Sequence, residues 1–267
     1  MKDRPISTSC LFHYTKSLQT LRGILTSGFR FAVVKEALPR VAWGTSALTA
    51  LGLQRTYNDN QVVCFCDIPL TLAADHRGHY SSYAVGLTKE WAMANGVAPV
   101  RYVHSDSPGF SGELIEFLEA HANRQDLGGS FVAALVECKT GTAPNIESFP
   151  ADAKVTVSVL EQFLAKALDF IAAGAPFFKT YEGDDPLQKT LLKRYYDERE
   201  WRAVPRNPDT KHLRFTWTDL VYILCPTREE CRQLQAENEA ICRHLDVPES
   251  AHLSEKLRSF EEIDADF

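Results

Sequence analysis

Residues 198–202, Glu-Arg-Glu-Trp-Arg, are the segment of this chain that most restricts its fold. Extended backbone sends side chains alternately to opposite faces, so Glu198, Glu200 and Arg202 would share one strand face. Ionised groups are seldom buried unless paired. Two carboxylates and a guanidinium in a row therefore make a poor core, but a good hold on a polar substrate whose transition state carries positive charge. A second conformation is open. The run Thr190–Tyr196 has helical character, and in a helix Lys193 with Asp197 and Arg194 with Glu198 would be ordinary i,i+4 surface pairs. Trp201 to Pro205 reads as a strand that the proline stops.

At 267 residues, 45% hydrophobic and 24% charged, the chain can bury a substantial core as one large domain or two small ones. Its net charge of -6 argues against a general grip on nucleic acid, while leaving room for a local basic groove. No apolar run reaches the roughly 18 residues of a membrane span, and none follows Met1–Pro5 as a signal peptide would. The expected location is the cytoplasm, away from any membrane. Seven scattered cysteines, several within apolar runs, read as packed thiols of a reduced protein. Cys64-x-Cys66 lacks the second Cys or His pair of a zinc finger, so no metal is expected.

The chain reads as α+β. Cys10–Tyr14 suits a strand, followed by a helix capped by Ser17, with Leu18, Leu21, Ile24 and Leu25 on one face and Gly28 just past its end. Tyr57–Asn60 reads as a turn and Gln61–Cys66 as a buried strand that Pro69 ends. Further strands are expected at His79–Leu87, Val100–Val103, Val132–Cys138, Leu213–Thr218 and Asp219–Cys225. Helices are expected at Lys89–Ala94, Gly112–Asn123, Val157–Ala173 and Arg228–Leu245, with fraying from Pro248 onward.

His13 ends the first strand just before a helix start, where free backbone N–H groups can meet a polar ligand. It reads equally as a core histidine, with Thr15 or Ser17 serving only as a cap. Asp75–Tyr83 and Lys179–Gly183 are rich in hydrogen-bonding groups and suit either pocket walls or solvated loops.

The blocks Leu11–Lys16, Val63–Leu70, Tyr80–Ala92, Asn95–Val100, Lys179–Gly183 and Tyr196–Pro205 together resemble the AbiGi family of bacterial abortive phage-resistance proteins. Such proteins are described as antitoxins of phage-defence systems, which implies a cognate toxin or antitoxin, or a phage protein, as partner. The order His13-Tyr14-Thr15, a middle tyrosine and a late Glu198-x-Glu200 is also similar to the ADP-ribosyltransferase pattern. That second resemblance implies split, facing antiparallel sheets with NAD, as substrate, in the cleft. Here it implies one such domain over residues 1–267, with a mostly helical insertion at about 105–175 and a helical extension at about 228–267. It also implies that His13 and Thr15, beside Tyr14, meet the NAD ribose, and that Tyr83, or else Tyr80, stacks on nicotinamide. Arg77 or Arg202 would hold the pyrophosphate. Glu200 would stabilise the oxocarbenium-like transition state and Glu198 would orient the acceptor, a protein or a nucleic acid. The rival expectation is a non-catalytic antitoxin or sensor that binds a partner protein or a nucleotide. A metal-dependent nuclease is disfavoured, since the histidines are dispersed.

Overall fold

The structure, a computed structural model, describes residues 8–37, 57–103, 174–184, 192–207 and 209–266. The chain divides into two units, the first comprising Met1–Val34, Gln61–Val100 and Glu182–Phe267, the second Lys35–Asn60 and Arg101–Tyr181. Local sequence dictates the opening of the first unit. β1 (Cys10–Thr15) leads into α1 (Leu18–Ser27), where the Ser17 side chain accepts the Thr20 amide at 3.2 Å. Gly28 ends α1 at φ 86°, and its amide bonds the Ile24 carbonyl at 2.8 Å. Only glycine fits there, because a Cβ would lie 2.6 Å from the Leu213 carbonyl oxygen.

Next come β2 (Phe29–Arg30), β3 (Ala32–Ala37) and the ten-residue β4 (Tyr57–Cys66). α2 (Ala74–Tyr80), β5 (Tyr83–Thr88), α3 (Lys89–Ala94) and β6 (Ala98–Pro99) follow. β9 (Glu182–Asp184), β10 (Leu192–Arg194), β11 (Glu200–Ala203), β12 (His212–Leu213) and β13 (Leu220–Cys225) return the chain to the first unit after β7 (Arg101–Val103) and β8 (Phe178–Thr180). α4 (Arg228–Ala236), α5 (Asn238–Leu245), β14 (Leu257–Ser259) and α6 (Phe260–Asp266) complete it.

The main sheet runs β14-β13-β5-β1-β4-β11-β6, with β3 also paired to β4. Along that order, every pair is antiparallel except β13 with β14. The register Phe12↔Cys66 and Glu200↔Cys66 puts Phe12, Cys66 and Glu200 on one face, and Leu11, His13 and Phe65 on the other. Each face has its own core. Leu11, Phe65, Val85, Leu87 and Ile223 pack with Leu21 and Leu25 of α1, Trp91 of α3, Leu234 of α4 and Leu245 of α5. Phe12, Cys66, Ala84 and Leu224 pack with Ala73 and Phe260. Gly86 lets Phe12 lie across β5, since a Cβ would come within 2.9 Å of that ring.

Several expectations change. The α+β class holds: beside the two-stranded pairs β9–β10 and β2–β12, the first unit carries a mixed main sheet with a core on each face, and the split, facing antiparallel sheets stay an expectation. Tyr57–Asn60 opens β4 rather than forming a turn. The strand expected from His79 begins at Tyr83, because α2 runs to Tyr80 and Ser81, at φ 90°, breaks the chain away. Of Leu213–Thr218 only Leu213 is in a strand, the short β12 (His212–Leu213) paired with β2. Arg228–Leu245 is two helices divided at Glu237. The charge-rich end carries β14 and α6, with Leu253 and Phe260 seated in the two cores. Residues 105–173 of the expected insertion, with its helices and the strand at 132–138, lie outside the described residues. In the second unit β7 and β8 pair in parallel, and the Arg101 guanidinium sits over the Phe178 ring at 5.8 Å.

Candidate functional site

Glu198 and Glu200 reach their places by a route that alternation alone does not give. Tyr195–Glu198 is a single 3-10 turn, Arg199 takes the left-handed conformation at φ 43°, and only then does β11 begin. The Arg199 carbonyl accepts the Asp67 amide at 3.1 Å, which ties the turn to the end of β4. The kink puts Glu198 at the sheet end, not on the strand.

Both carboxylates are buried, at 5% and 6% exposure, and both are held. Glu198 accepts the Tyr80 hydroxyl at 2.5 Å and pairs with the Lys193 ammonium at 2.7 Å. Lys193 also lies over the Tyr80 ring at 5.0 Å and near the Tyr195 ring at 5.6 Å. Glu200 accepts Arg202 Nε at 2.8 Å and Nη2 at 3.1 Å, a two-bond pair around a guanidinium with no exposed surface. One turn before Tyr80 on α2, His76 stacks on its ring at 4.5 Å. Tyr14 meets His76 edge-on at 4.9 Å.

Burial sets the protonation of this group. It pushes His76 down to about 4, with Lys193 adding to the shift and Glu198 opposing it, so the ring is neutral at pH 7. It raises the Tyr14 and Cys66 hydrogen acids well above their usual ranges, and for Cys66 the carboxylates of Glu198 and Glu200 add to the rise. Glu198, Lys193, Tyr80, His76 and Tyr14 thus form one chain of contacts, and Glu200 with Arg202 is a separate buried pair whose charge His76 and Cys66 also feel.

The structure gathers some of the residues expected from sequence and scatters others. His13 does not join Glu200. It lies on the opposite sheet face, its Nδ1 2.7 Å from the Cys64 carbonyl oxygen and its ring edge-on to Phe29 and Phe65. Desolvation there lowers its pKa, as for a core histidine. Thr15 is buried on that same face. Tyr83, paired with Thr15 across the sheet, donates its hydroxyl to Glu230 and packs against the first core, so Tyr80 is the tyrosine that meets a carboxylate of the pair. Arg77 makes a bidentate pair with Asp264 of α6, at 2.9 and 3.0 Å, and covers the Phe260 ring. Arg202 is sealed against Glu200. As placed, both arginines serve internal pairs rather than a pyrophosphate.

Lys193 and His76 are the members that sequence reasoning missed. The helical reading of 190–200 gave Lys193 to Asp197, whereas the 3-10 turn gives it to Glu198. His76 and Tyr80 carry an i,i+4 signal that needs α2 to be recognised first. A separate hollow of about 350 Å³ is lined by Trp91, Asn95, Arg214, Phe215, Asp219 and His244, and none of the expected site residues borders it. Among the described residues no His, Cys, Asp or Glu group is arranged to hold a metal ion, and no helix is long and apolar enough to cross a membrane.

Residues 53–216, more than half of the chain, match the family described as "Putative abortive phage resistance protein AbiGi, antitoxin". The chain belongs to the AbiGi family. No curated protein and no solved structure matches it. The AbiGi match takes in His76, Tyr80, Lys193, Glu198, Glu200 and Arg202, and it begins after His13, Tyr14 and Thr15. The contacts around Glu198 and the Glu200–Arg202 pair therefore fall, apart from Tyr14, within the AbiGi region, while the N-terminal His-Tyr-Thr strand does not.

Proposed function

We propose that this protein is the antitoxin of an abortive phage-resistance pair and acts by binding a cognate toxin without catalysis. The observation that carries the reading is that an AbiGi chain spends its buried charges on internal pairs. Glu198 with Lys193 and Tyr80, and Glu200 with Arg202, fix the segment 192–203 in one conformation. Along that segment Leu192 and Tyr196 are 73% and 48% exposed, and Tyr80, whose ring Lys193 covers, is 37% exposed. Large apolar side chains on a rigid support are what a protein partner can bury with little ordering cost.

The test is co-expression with a candidate cognate toxin, scored by growth rescue and by the affinity of the purified pair. Tyr196→Asp is expected to weaken binding by about 2 kcal/mol, roughly thirtyfold, and to abolish rescue, with the unfolding midpoint of the variant measured alongside. Absence of a complex with the wild-type chain would defeat the antitoxin reading. Full rescue by Tyr196→Asp together with Leu192→Asp would move the binding face elsewhere.

A second reading, ADP-ribosyl transfer from NAD, retains one support: Glu198 and Glu200 lie close enough together to act on the same neighbours, His76 and Cys66. It predicts that the purified protein releases nicotinamide from NAD and that Glu200→Gln stops this, with a urea transition confirming that the variant is folded, since the substitution leaves the buried Arg202 without its anion. Equal turnover by the two proteins removes that reading.

A further inference from the structure

The hollow of about 350 Å³ formed by α3, the turn 214–219 and the end of α5 lies within the first unit, and none of the residues around Glu198 and Glu200 borders it. Its walls are fixed by bonds within the chain. Trp91 Nε1 donates to the Arg214 carbonyl at 3.1 Å, and the Trp217 amide donates to the Leu245 carbonyl at 2.8 Å. The Thr216 amide and hydroxyl both donate to Asp219 Oδ2 at 2.8 Å, which closes the turn. Trp91 and Phe215, edge to face at 6.4 Å, supply an apolar wall. A preformed hollow of this size, part apolar and part polar, suits a small molecule.

The charges on its lining are of both signs and are not spent on each other. Among the described residues the exposed Arg214 guanidinium has no ion pair or hydrogen bond. Asp246, which follows α5 in the left-handed conformation at φ 53°, likewise faces no cation within bonding distance. Asp219 keeps Oδ1 outside its bonds to Thr216. The end of α5 adds partial negative charge beside Asp246. His244 does not add a second cation. Burial, with Arg214 beside it, lowers its pKa, so the ring is neutral at pH 7, and its buried Nε2 has no hydrogen-bond partner. Arg206 is spent on the Ala94 carbonyl at 2.9 Å.

We infer that this hollow binds a small zwitterion, an α-amino acid with an apolar side chain, its carboxylate on Arg214 and its ammonium on Asp219 and Asp246. An anion alone would meet two carboxylates and a helix C-terminus, and a cation alone would meet Arg214, so the lining rejects a ligand of either single charge. Arginine matches a carboxylate with two parallel bonds. An ammonium brings three donors, for Asp219, Asp246 and the Asn95 amide oxygen, since the Asn95 amide nitrogen already donates to the Trp91 carbonyl at 2.9 Å. The apolar side chain then lies against Trp91 and Phe215.

Calorimetric titration of the full chain with L-phenylalanine and with L-leucine tests this. At least one is expected to bind saturably with a Kd of about 1 mM or tighter. Arg214→Gln, which leaves the Trp91 bond to the backbone carbonyl in place, should weaken that binding about tenfold with an unchanged melting point. The same substitution should not alter binding of the corresponding amino acid amide, which has no carboxylate. Asp246→Asn keeps a residue that tolerates the left-handed conformation and should also cost about tenfold. The wild type should hold 3-phenylpropanoate, which lacks the ammonium, about tenfold more weakly than L-phenylalanine. The inference is overturned if neither amino acid binds up to about 10 mM, if both variants bind as the wild type does, or if 3-phenylpropanoate or inorganic phosphate binds as tightly as the amino acids.

Discussion

Arg202→Ala will lower folding stability by about 3–5 kcal/mol, the cost of leaving a buried carboxylate without the cation that faces it. Arg202 has no exposed surface, and Glu200 beside it is 6% exposed. The guanidinium meets both carboxylate oxygens, so no part of the Glu200 head escapes the loss. A joint replacement, Glu200→Leu with Arg202→Met, should recover most of the stability, because removing both charges also removes their desolvation cost. The exposed pair Arg232–Glu229 supplies the contrast, with side chains 71% and 64% exposed. Arg232→Ala should change stability by no more than about 0.5 kcal/mol. Urea unfolding of the four proteins checks the series. A loss below about 1 kcal/mol for Arg202→Ala would mean that solvent reaches the pair in solution.

The next largest effect is a loss of stability on mild acidification, centred on His76. Its folded pKa is lowered to about 4, chiefly by burial, from an ordinary histidine value of 6.5. Between those values the unfolded chain binds more protons than the folded one, so stability rises with pH. The His76 contribution is complete above about pH 6.5 and is lost as the pH falls toward 4, amounting to about 2 kcal/mol between pH 7 and pH 5. His13, also lowered by burial, acts in the same direction. His76→Phe keeps a ring against Tyr80 and cannot titrate, so its unfolding free energy should depend less steeply on pH over that interval. Parallel profiles for the wild type and His76→Phe would show that His76 does not carry the effect.

How much of this was legible in the sequence varies with distance along the chain. Ser17 and Gly28 bound α1 as their types demand, since a cap is a contact within a few residues. Pro69 likewise follows the end of β4. The abrupt change at Arg199 was not legible, because a left-handed arginine is uncommon. It persists here with the Asp67 amide on its carbonyl and Glu198 held by Lys193 and Tyr80.

By itself, then, the sequence determined the α+β class, many short-range elements and the AbiGi kinship, while the 3-10 turn took Glu198 off the strand face expected for it beside Glu200. Tertiary structure alone decided which face each residue serves. A shift of one residue in register moves a side chain to the other side of a sheet, and the alignment of Phe12 and Glu200 on Cys66 sent His13 into the opposite core. Tertiary structure also chose the partners of the buried charges. Desolvation makes such groups dependent on whatever distant element lies within hydrogen-bonding reach, and those elements were α2 for Glu198 and α6 for Arg77.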